Sequence, residues 1–318
     1  AIQPDGKIVI VGNNTVAQAN YDEPVFVRFN ANGTKDIGNI IYFPNNRYNY
    51  GQAVVIQPDG KIIISGDMTD VDGGGPYLSL ARLNPDGSLD KSGFGANGTV
   101  EIPYPDFYNG HSALALQPDG KFIMAGTVTV GINDNLTLVR FNTNGTLDTS
   151  FGGTGIIATD FGDSESLDDL VIQPDGKILV EGKTSSSFDS SDFLLVRYNS
   201  DGSLDTSFGA NGKLVTDLGN TNDAITGIVQ QYDGKVIVSG NSGEKAILAR
   251  YNTGTSIPST STSVTLDSVG THDGWVLESG EFSNKGGTLD KTSNLLFVGD
   301  DAKRINVGSV IHFAAACL

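Results

Sequence analysis

Cysteine is nearly missing: the 318 residues hold one, Cys317, so no intrachain disulfide and no cysteine-based zinc site can form, and packing must hold the fold. No apolar run reaches the roughly 20 residues that a membrane-spanning helix needs. Residues 1–20 also lack the basic start and continuous apolar stretch of a secretory signal. Basic residues are scarce, 20 against 37 acidic, for a net charge of -17. That field repels phosphate backbones and anionic headgroups, so neither a nucleic-acid partner nor membrane insertion is expected. The three histidines, His111, His272 and His312, are scattered, and none lies in a Ser-His-Asp or zinc-binding setting. No GxxxxGKS/T phosphate loop occurs, and Gly73-Gly74-Gly75 precedes no helical pattern that could cradle a phosphate. Apolar spacing of three to four residues is nowhere sustained, which argues against helices altogether.

What the chain has in excess is turn formers, 41 glycines and 11 prolines, and they fall at regular places. AIQPDGKIVIVG from Ala1 returns as VIQPDGKIIISG from Val55, ALQPDGKFIMAG from Ala115, VIQPDGKILVEG from Val171 and VQQYDGKVIVSG from Val229. The turn aspartates are Asp5, Asp59, Asp119, Asp175 and Asp233, spaced by 54, 60, 56 and 58 residues. Pro-Asp-Gly between two alternating runs is a hairpin turn, because Pro presets φ, Asp bonds the local backbone and Gly accepts a positive φ. Downstream of each copy comes a β-rich stretch ending in Arg28, Arg82, Arg140, Arg197 or Arg250, then an aromatic residue or Leu, then Asn. Four of these run into Asn-Gly or Asp-Gly pairs. LDTSFG follows at Leu147 and Leu204, with LDKSGFG at Leu89.

This spacing predicts four strands per unit; in the third unit they fall at about 99–102, 112–117, 121–126 and 136–142. One such meander cannot bury both faces of its sheet, whereas radial stacking of several can. QPDGK followed by VRFN and LDTSFG resembles the delta-60 repeat family of bacterial proteins over residues 1–252, a resemblance that implies a β-propeller. The expected fold is therefore all-β: about five four-stranded antiparallel blades, with units near 1–34, 35–95, 96–152, 153–210 and 211–252. The first blade is expected to be incomplete, because Ala1 lies inside a repeat, and an upstream blade is expected to be missing. The fifth copy departs from the pattern, with Tyr232 for Pro and no LDTSFG after Asn252, so it is read as the last blade, handing no strand onward.

A catalytic group is needed once, whereas the turn Asp and the strand-end Arg return in every unit. Recurrence favours a structural role: the aspartates as turn formers, the arginines paired with carboxylates such as Asp148 or Asp205 or with loop carbonyls. In a meander, alternate connections share a face. The PDG turns and the LDTSFG connections then lie on one face, and the variable loops on the other. On that second face, Tyr42, Phe43, Arg47, Tyr48 and Tyr50 precede the second hairpin, and Tyr104, Phe107, Tyr108 and His111 the third. Such rings could stack on sugars or clasp a peptide, or simply cover a blade junction. The candidate ligand-binding set is Tyr42, Tyr48, Tyr50, Tyr104, Phe107, Tyr108 and His111, with no catalytic residue, metal or cofactor assigned. Acidic loops at Asp67, Gly131 and Asp160 offer carboxylates of the kind calcium takes, but Asp67, Asp70 and Asp72 do not match EF-hand spacing.

From Thr253 to Ser263 the sequence TGTSIPSTSTS has the composition of a flexible linker. Residues 264–313 resemble the opening of bacterial DNRLRE-type β-sandwich modules, a resemblance that implies cell-surface association and carbohydrate binding. Because that family continues past the GDDAKR string, residues 264–318 are expected to form a truncated module, with Trp275 as its core anchor or a sugar platform. The expected function is a non-enzymatic repeat scaffold of a bacterial secreted or cell-envelope protein, facing a protein or glycan surface. The alternatives are a carbohydrate-binding propeller and, more remotely, a polysaccharide hydrolase.

Overall fold

The computed structural model describes residues 1–16, 21–41, 47–70, 77–103, 113–130, 133–187, 190–219, 223–231, 234–243, 245–254, 270–272, 275–277, 288–290 and 295–298. These residues form strands, turns and bends, with no helix among them. Sheet 1 holds β1 (Ile8–Val16), β2 (Tyr21–Phe29) and β3 (Lys35–Ile40). Sheet 2 holds β4 (Arg47–Ile56), β5 (Ile62–Asp70), β6 (Tyr77–Leu83) and β7 (Thr99–Pro103). Sheet 3 is β8 (Ala113–Leu116), β9 (Phe122–Val130), β10 (Asn133–Phe141) and β11 (Ile156–Thr159). Sheet 4 is β12 (Ser164–Ile172), β13 (Ile178–Ser187), β14 (Ser190–Tyr198) and β15 (Lys213–Thr216). Sheet 5 begins with β16 (Asp223–Gln230), β17 (Val236–Ser242) and β18 (Lys245–Tyr251). Every pairing is antiparallel between chain neighbours, a run of meanders.

The turn chemistry explains this order. In sheet 2, Gly60 N–H donates to Gln57 O and Gln57 N–H to Lys61 O, with Gly60 at φ +81, so Pro58 and Asp59 sit in a three-residue hairpin loop closed by a left-handed glycine. The Asp59 carboxylate accepts from Lys61 N–H at 3.1 Å. The same turn recurs one hairpin later, at Asn84–Ser88, Asn142–Thr146 and Asn199–Ser203. The glycine that ends each ISG or VEG run has a different task. In sheets 2, 4 and 5 the first strand bulges opposite it, and a Cβ on Gly66, Gly182 or Gly240 would stand 1.9–2.1 Å from a carbonyl oxygen of that strand.

One strand goes elsewhere than the spacing suggests. Thr99–Pro103, expected to open the third unit, pairs back with β6 and closes sheet 2. The connection itself holds it there: Asp90 N–H donates to Arg82 O and Arg82 N–H to Gly98 O, so the chain never leaves the edge of β6. β11 and β15 close sheets 3 and 4 likewise. In sheet 1 only Ala1 and Ile2 occupy the first-strand position, through an Ile2–Ile8 bridge.

The fifth sheet, expected as four strands within 211–252, loses Lys213–Thr216 to sheet 4 and takes its fourth strand from the C-terminal segment instead. β22 (Leu295–Val298) pairs with Ala246–Ala249 on β18, with β21 (Thr288–Asp290) outside it. β19 (Gly270–His272) and β20 (Trp275–Leu277) form a separate hairpin.

Successive sheets pack face to face, and each junction has its own core. Phe26 and Ile62 meet between sheets 1 and 2, Ile63, Phe94 and Phe122 between sheets 2 and 3, Phe151 and Leu194 between sheets 3 and 4, and Leu179, Phe193 and Val238 between sheets 4 and 5. The first strands β4, β8, β12 and β16 contact one another in sequence, so they line the inner side of the array.

Candidate functional site

The recurring charged residues converge on the face that carries the turns. In sheet 3, Arg140 Nε donates to Asp148 Oδ2 at 2.8 Å, Nη2 to Ser150 Oγ at 3.1 Å, and Nη1 to Ser200 O at 2.5 Å in a turn of sheet 4. Lys121, from the PDGK hairpin, also reaches Asp148 Oδ2 at 2.8 Å, which places the PDG and LDTSFG connections side by side. Sheets 1, 2 and 4 repeat the arrangement. Arg28 binds Asp36 and Pro85 O, Arg82 binds Asp90 and Thr143 O, and Arg197 binds Asp205 and Thr253 O. Each guanidinium thus holds a carboxylate of its own sheet and a carbonyl of the next. In three of them it also lies 4.5–4.7 Å from the ring centre of Phe94, Phe151 or Phe208. The turn glycine of the next sheet seats on the same ring: a Cβ on Gly202 would stand 2.7 Å from Phe151.

Burial alone would raise the pKa of Asp148, but Lys121, Ser150 and Arg140 outweigh it and hold the carboxyl well below the usual range. Asp205 is held low in the same way by Lys177, Ser207 and Arg197. Asp5, Asp119 and Asp175, like Asp59, accept the peptide N–H two residues on, while Asp233 lies outside the described residues. Arg250 differs from its four counterparts: it is exposed, and the LD motif that would supply a carboxylate is missing after it. Concavities on this face, one lined by Gln57, Asp59, Arg82 and Thr143 and another by Ser150, Gly152 and Asp201, are walled by repeated groups already engaged with one another.

The opposite face carries what does not repeat. Of the aromatic candidates, Tyr50 is half-buried on β4 and Tyr48 lies on the same strand, its side chain not described; Tyr42, Tyr104, Phe107, Tyr108 and His111 fall outside the described residues. Asp134 N–H donates to Ser164 Oγ across sheets 3 and 4, and Asn133 to Gly162 O. Across sheets 4 and 5, Asp192 on β14, Asp217 just after β15 and Asp223 at the start of β16 bring one carboxylate oxygen each to within 4.8 Å of the others.

Three further carboxyls, all in sheet 4, stand out from the repeat. Glu181 occupies the place of Val11, Ser65, Ala125 and Ser239, and Asp169 that of Ala53, Ala113 and Gly227. They oppose each other across β12 and β13, on the side of Leu179 and Leu195 that meets sheet 5. Glu181 is 1% exposed and neither of its oxygens has a hydrogen-bond partner. Burial, then the charges of Asp168 and Asp169, push it up to about 9. Glu165, facing sheet 3, is as deeply buried and is pushed up to about 7 by burial and by Asp160 and Asp163, against the pull of the Phe161 peptide and Lys213.

With the geometry in place, four segments, residues 3–36, 57–92, 117–151 and 173–208, match a family model described as a domain of unknown function (DUF5122) beta-propeller. The chain is a β-propeller. The matched segments run from the PDG hairpin to the LDTSFG connection, so they coincide with the latched parts of the propeller. A protein of unknown function from Dyadobacter fermentans is similar in structure, with 13% identity over 80% of this chain and 77% of the other and a TM-score of 0.52. A native arabinanase from Bacillus subtilis has 13% identity over 76% of this chain and 87% of the other, with a TM-score of 0.44. An ulvan lyase has 10% identity over 79% and 65%, with a TM-score of 0.49. At these identities the likeness is one of fold alone. No curated protein matches the propeller in sequence.

Proposed function

We propose that this propeller is a non-enzymatic scaffold that presents its variable loop face to a protein or glycan partner. The setting we infer is a secreted or cell-envelope bacterial protein of the delta-60 repeat kind, with a DNRLRE-type segment from about residue 264. The observation that carries the reading is the division of polar groups between the faces. On the turn face, Arg28, Arg82, Arg140 and Arg197 each spend their donors on a carboxylate and on the neighbouring sheet. The side chains left for a partner belong to the loops opposite, where the sequence concentrates tyrosine.

A polysaccharide hydrolase would need two carboxyls in reach of substrate. The non-repeating pair that faces across β12 and β13, Asp169 and Glu181, does not supply them, because Glu181 is sealed between sheets. A glycan array probed with the intact chain tests the reading: saturable binding that Tyr48→Ala and Tyr108→Ala abolish identifies a glycan partner on this face. Turnover of any bound glycan, detected as new reducing ends, would overturn the non-enzymatic assignment.

A further inference from the structure

The junction of sheets 4 and 5 holds three carboxylates that the fold does not require. Position by position, Asp192, Asp217 and Asp223 correspond to Asn135, Asp160 and Glu165 at the junction of sheets 3 and 4. The first two correspond to Tyr77 and Pro103 in sheet 2. The junction of sheets 2 and 3 thus closes with an aromatic ring and a proline in these places, without a carboxylate.

Asp223 is wholly buried. Its Oδ2 accepts from Leu218 N–H at 2.8 Å, but its Oδ1, equally buried, has no hydrogen-bond partner. A buried carboxylate oxygen without a partner costs free energy unless something positive meets it. Among the described residues, no lysine or arginine pairs with any of the three carboxylates. Asp217 is fixed from its own loop, Oδ1 accepting from Gly219 N–H at 2.6 Å, and it is exposed, so the cluster opens to solvent on one side.

The donors are all oxygens, and their spread suits one ion. Two oxygens on opposite sides of a calcium ion, each at about 2.4 Å, stand about 4.8 Å apart, and the three carboxylate oxygens lie within 4.8 Å of one another. Magnesium demands near-ideal octahedral geometry and dehydrates reluctantly, whereas calcium accepts an irregular set of carboxylate oxygens and waters. We propose that Asp192, Asp217 and Asp223 bind a calcium ion that ties sheet 4 to sheet 5, with water completing the shell on the exposed side. Asp192 and Asp217 come from sheet 4 and Asp223 from sheet 5, so the ion would act across the junction, beside the Ser191 Oγ to Asp223 O hydrogen bond of 3.0 Å. This inference does not depend on what the loop face binds.

The test is calorimetric titration of CaCl2 into the chelator-treated intact chain, with thermal unfolding in parallel. One saturable calcium site, a higher Tm with calcium, and binding of MgCl2 at least tenfold weaker are expected. Asp217→Asn, at an exposed position, should weaken calcium binding at least tenfold and remove the rise in Tm. Asp223→Asn should do the same if it folds, and Asp160→Asn, the counterpart at the previous junction, should change neither. No saturation by about 10 mM, well above the weakest extracellular calcium sites, would overturn the proposal. So would calcium binding that survives Asp217→Asn.

Discussion

On the turn face Asp148 is buried among Lys121, Arg140 and Ser150, whereas Glu181, buried more deeply in the next sheet, has no hydrogen-bond partner. The first repeats in every LD motif and the second occurs once. Recurrence marks compensated burial: in sheets 2 to 4 a buried carboxylate pairs with Lys and Arg of its own sheet, and the Arg donates onward to a carbonyl of the next sheet. Groups that do not recur carry an uncompensated cost.

The largest loss is expected on the compensated side. Asp148→Ala leaves Arg140 buried without its carboxylate and should cost about 3–5 kcal/mol, read as a lower midpoint in urea unfolding; a loss under about 1 kcal/mol would put Asp148 in the same class as an exposed surface pair. Next comes the glycine that seats on the latch. At Gly202 an added Cβ would stand 2.1 Å from Ile157 and 2.7 Å from Phe151, with φ at +92, so Gly202→Ala should cost about 1–3 kcal/mol from crowding beyond the roughly 1–2 kcal/mol of a left-handed backbone. Gly33, in the equivalent turn of sheet 1 at φ +82 with nothing within 4 Å, should show the backbone part alone. Equal losses would mean that the turn glycines do not seat on their neighbours.

Opposite in sign, and visible as a slope with pH instead of a loss at one pH, is the titration of the uncompensated acids. Glu181 is raised from 4.5 to about 9 in the folded state, so between those values the folded chain holds a proton that the unfolded chain has lost, and stability falls as pH rises through that window. Glu165, raised to about 7, adds to the fall over its lower part. Asp148 and Asp205 act the other way, since their lowered values confer stability above about pH 4 that is lost on acidification. Glu181→Gln should therefore flatten the decline between pH 5 and 9, a window set by the same linkage at roughly that range, without altering the loss in acid. An unchanged slope in thermal melts across the range would show that Glu181 is not the group responsible.

Much of this was legible in the residues, for local reasons. Pro58-Asp59-Gly60 and its copies dictate a turn without reference to the rest of the chain, and Arg140 and Asp148 sit eight residues apart on either side of a second turn of the same design. Strand allegiance was not legible, because alternation in 99–103 says that a strand forms but not which edge receives it. The edge was decided by hydrogen bonds in the preceding connection. The Asp192, Asp217 and Asp223 cluster was hidden for a related reason, since only the register of β14, β15 and β16 brings three separated residues together. Glu181 and Asp169 did leave a signal: laying the five repeats over one another sets a carboxylate against Ser, Ala, Val and Gly.

The five arginines give the most direct test, because one sequence position appears in two environments. Arg140 is buried and reaches the next sheet at Ser200, while Arg250 is exposed. Urea unfolding of Arg140→Ala and Arg250→Ala should give a loss of about 3 kcal/mol or more for the first and about 0.5 kcal/mol or less for the second. Equal losses would contradict the claim that the repeated arginine works by latching each blade to the next.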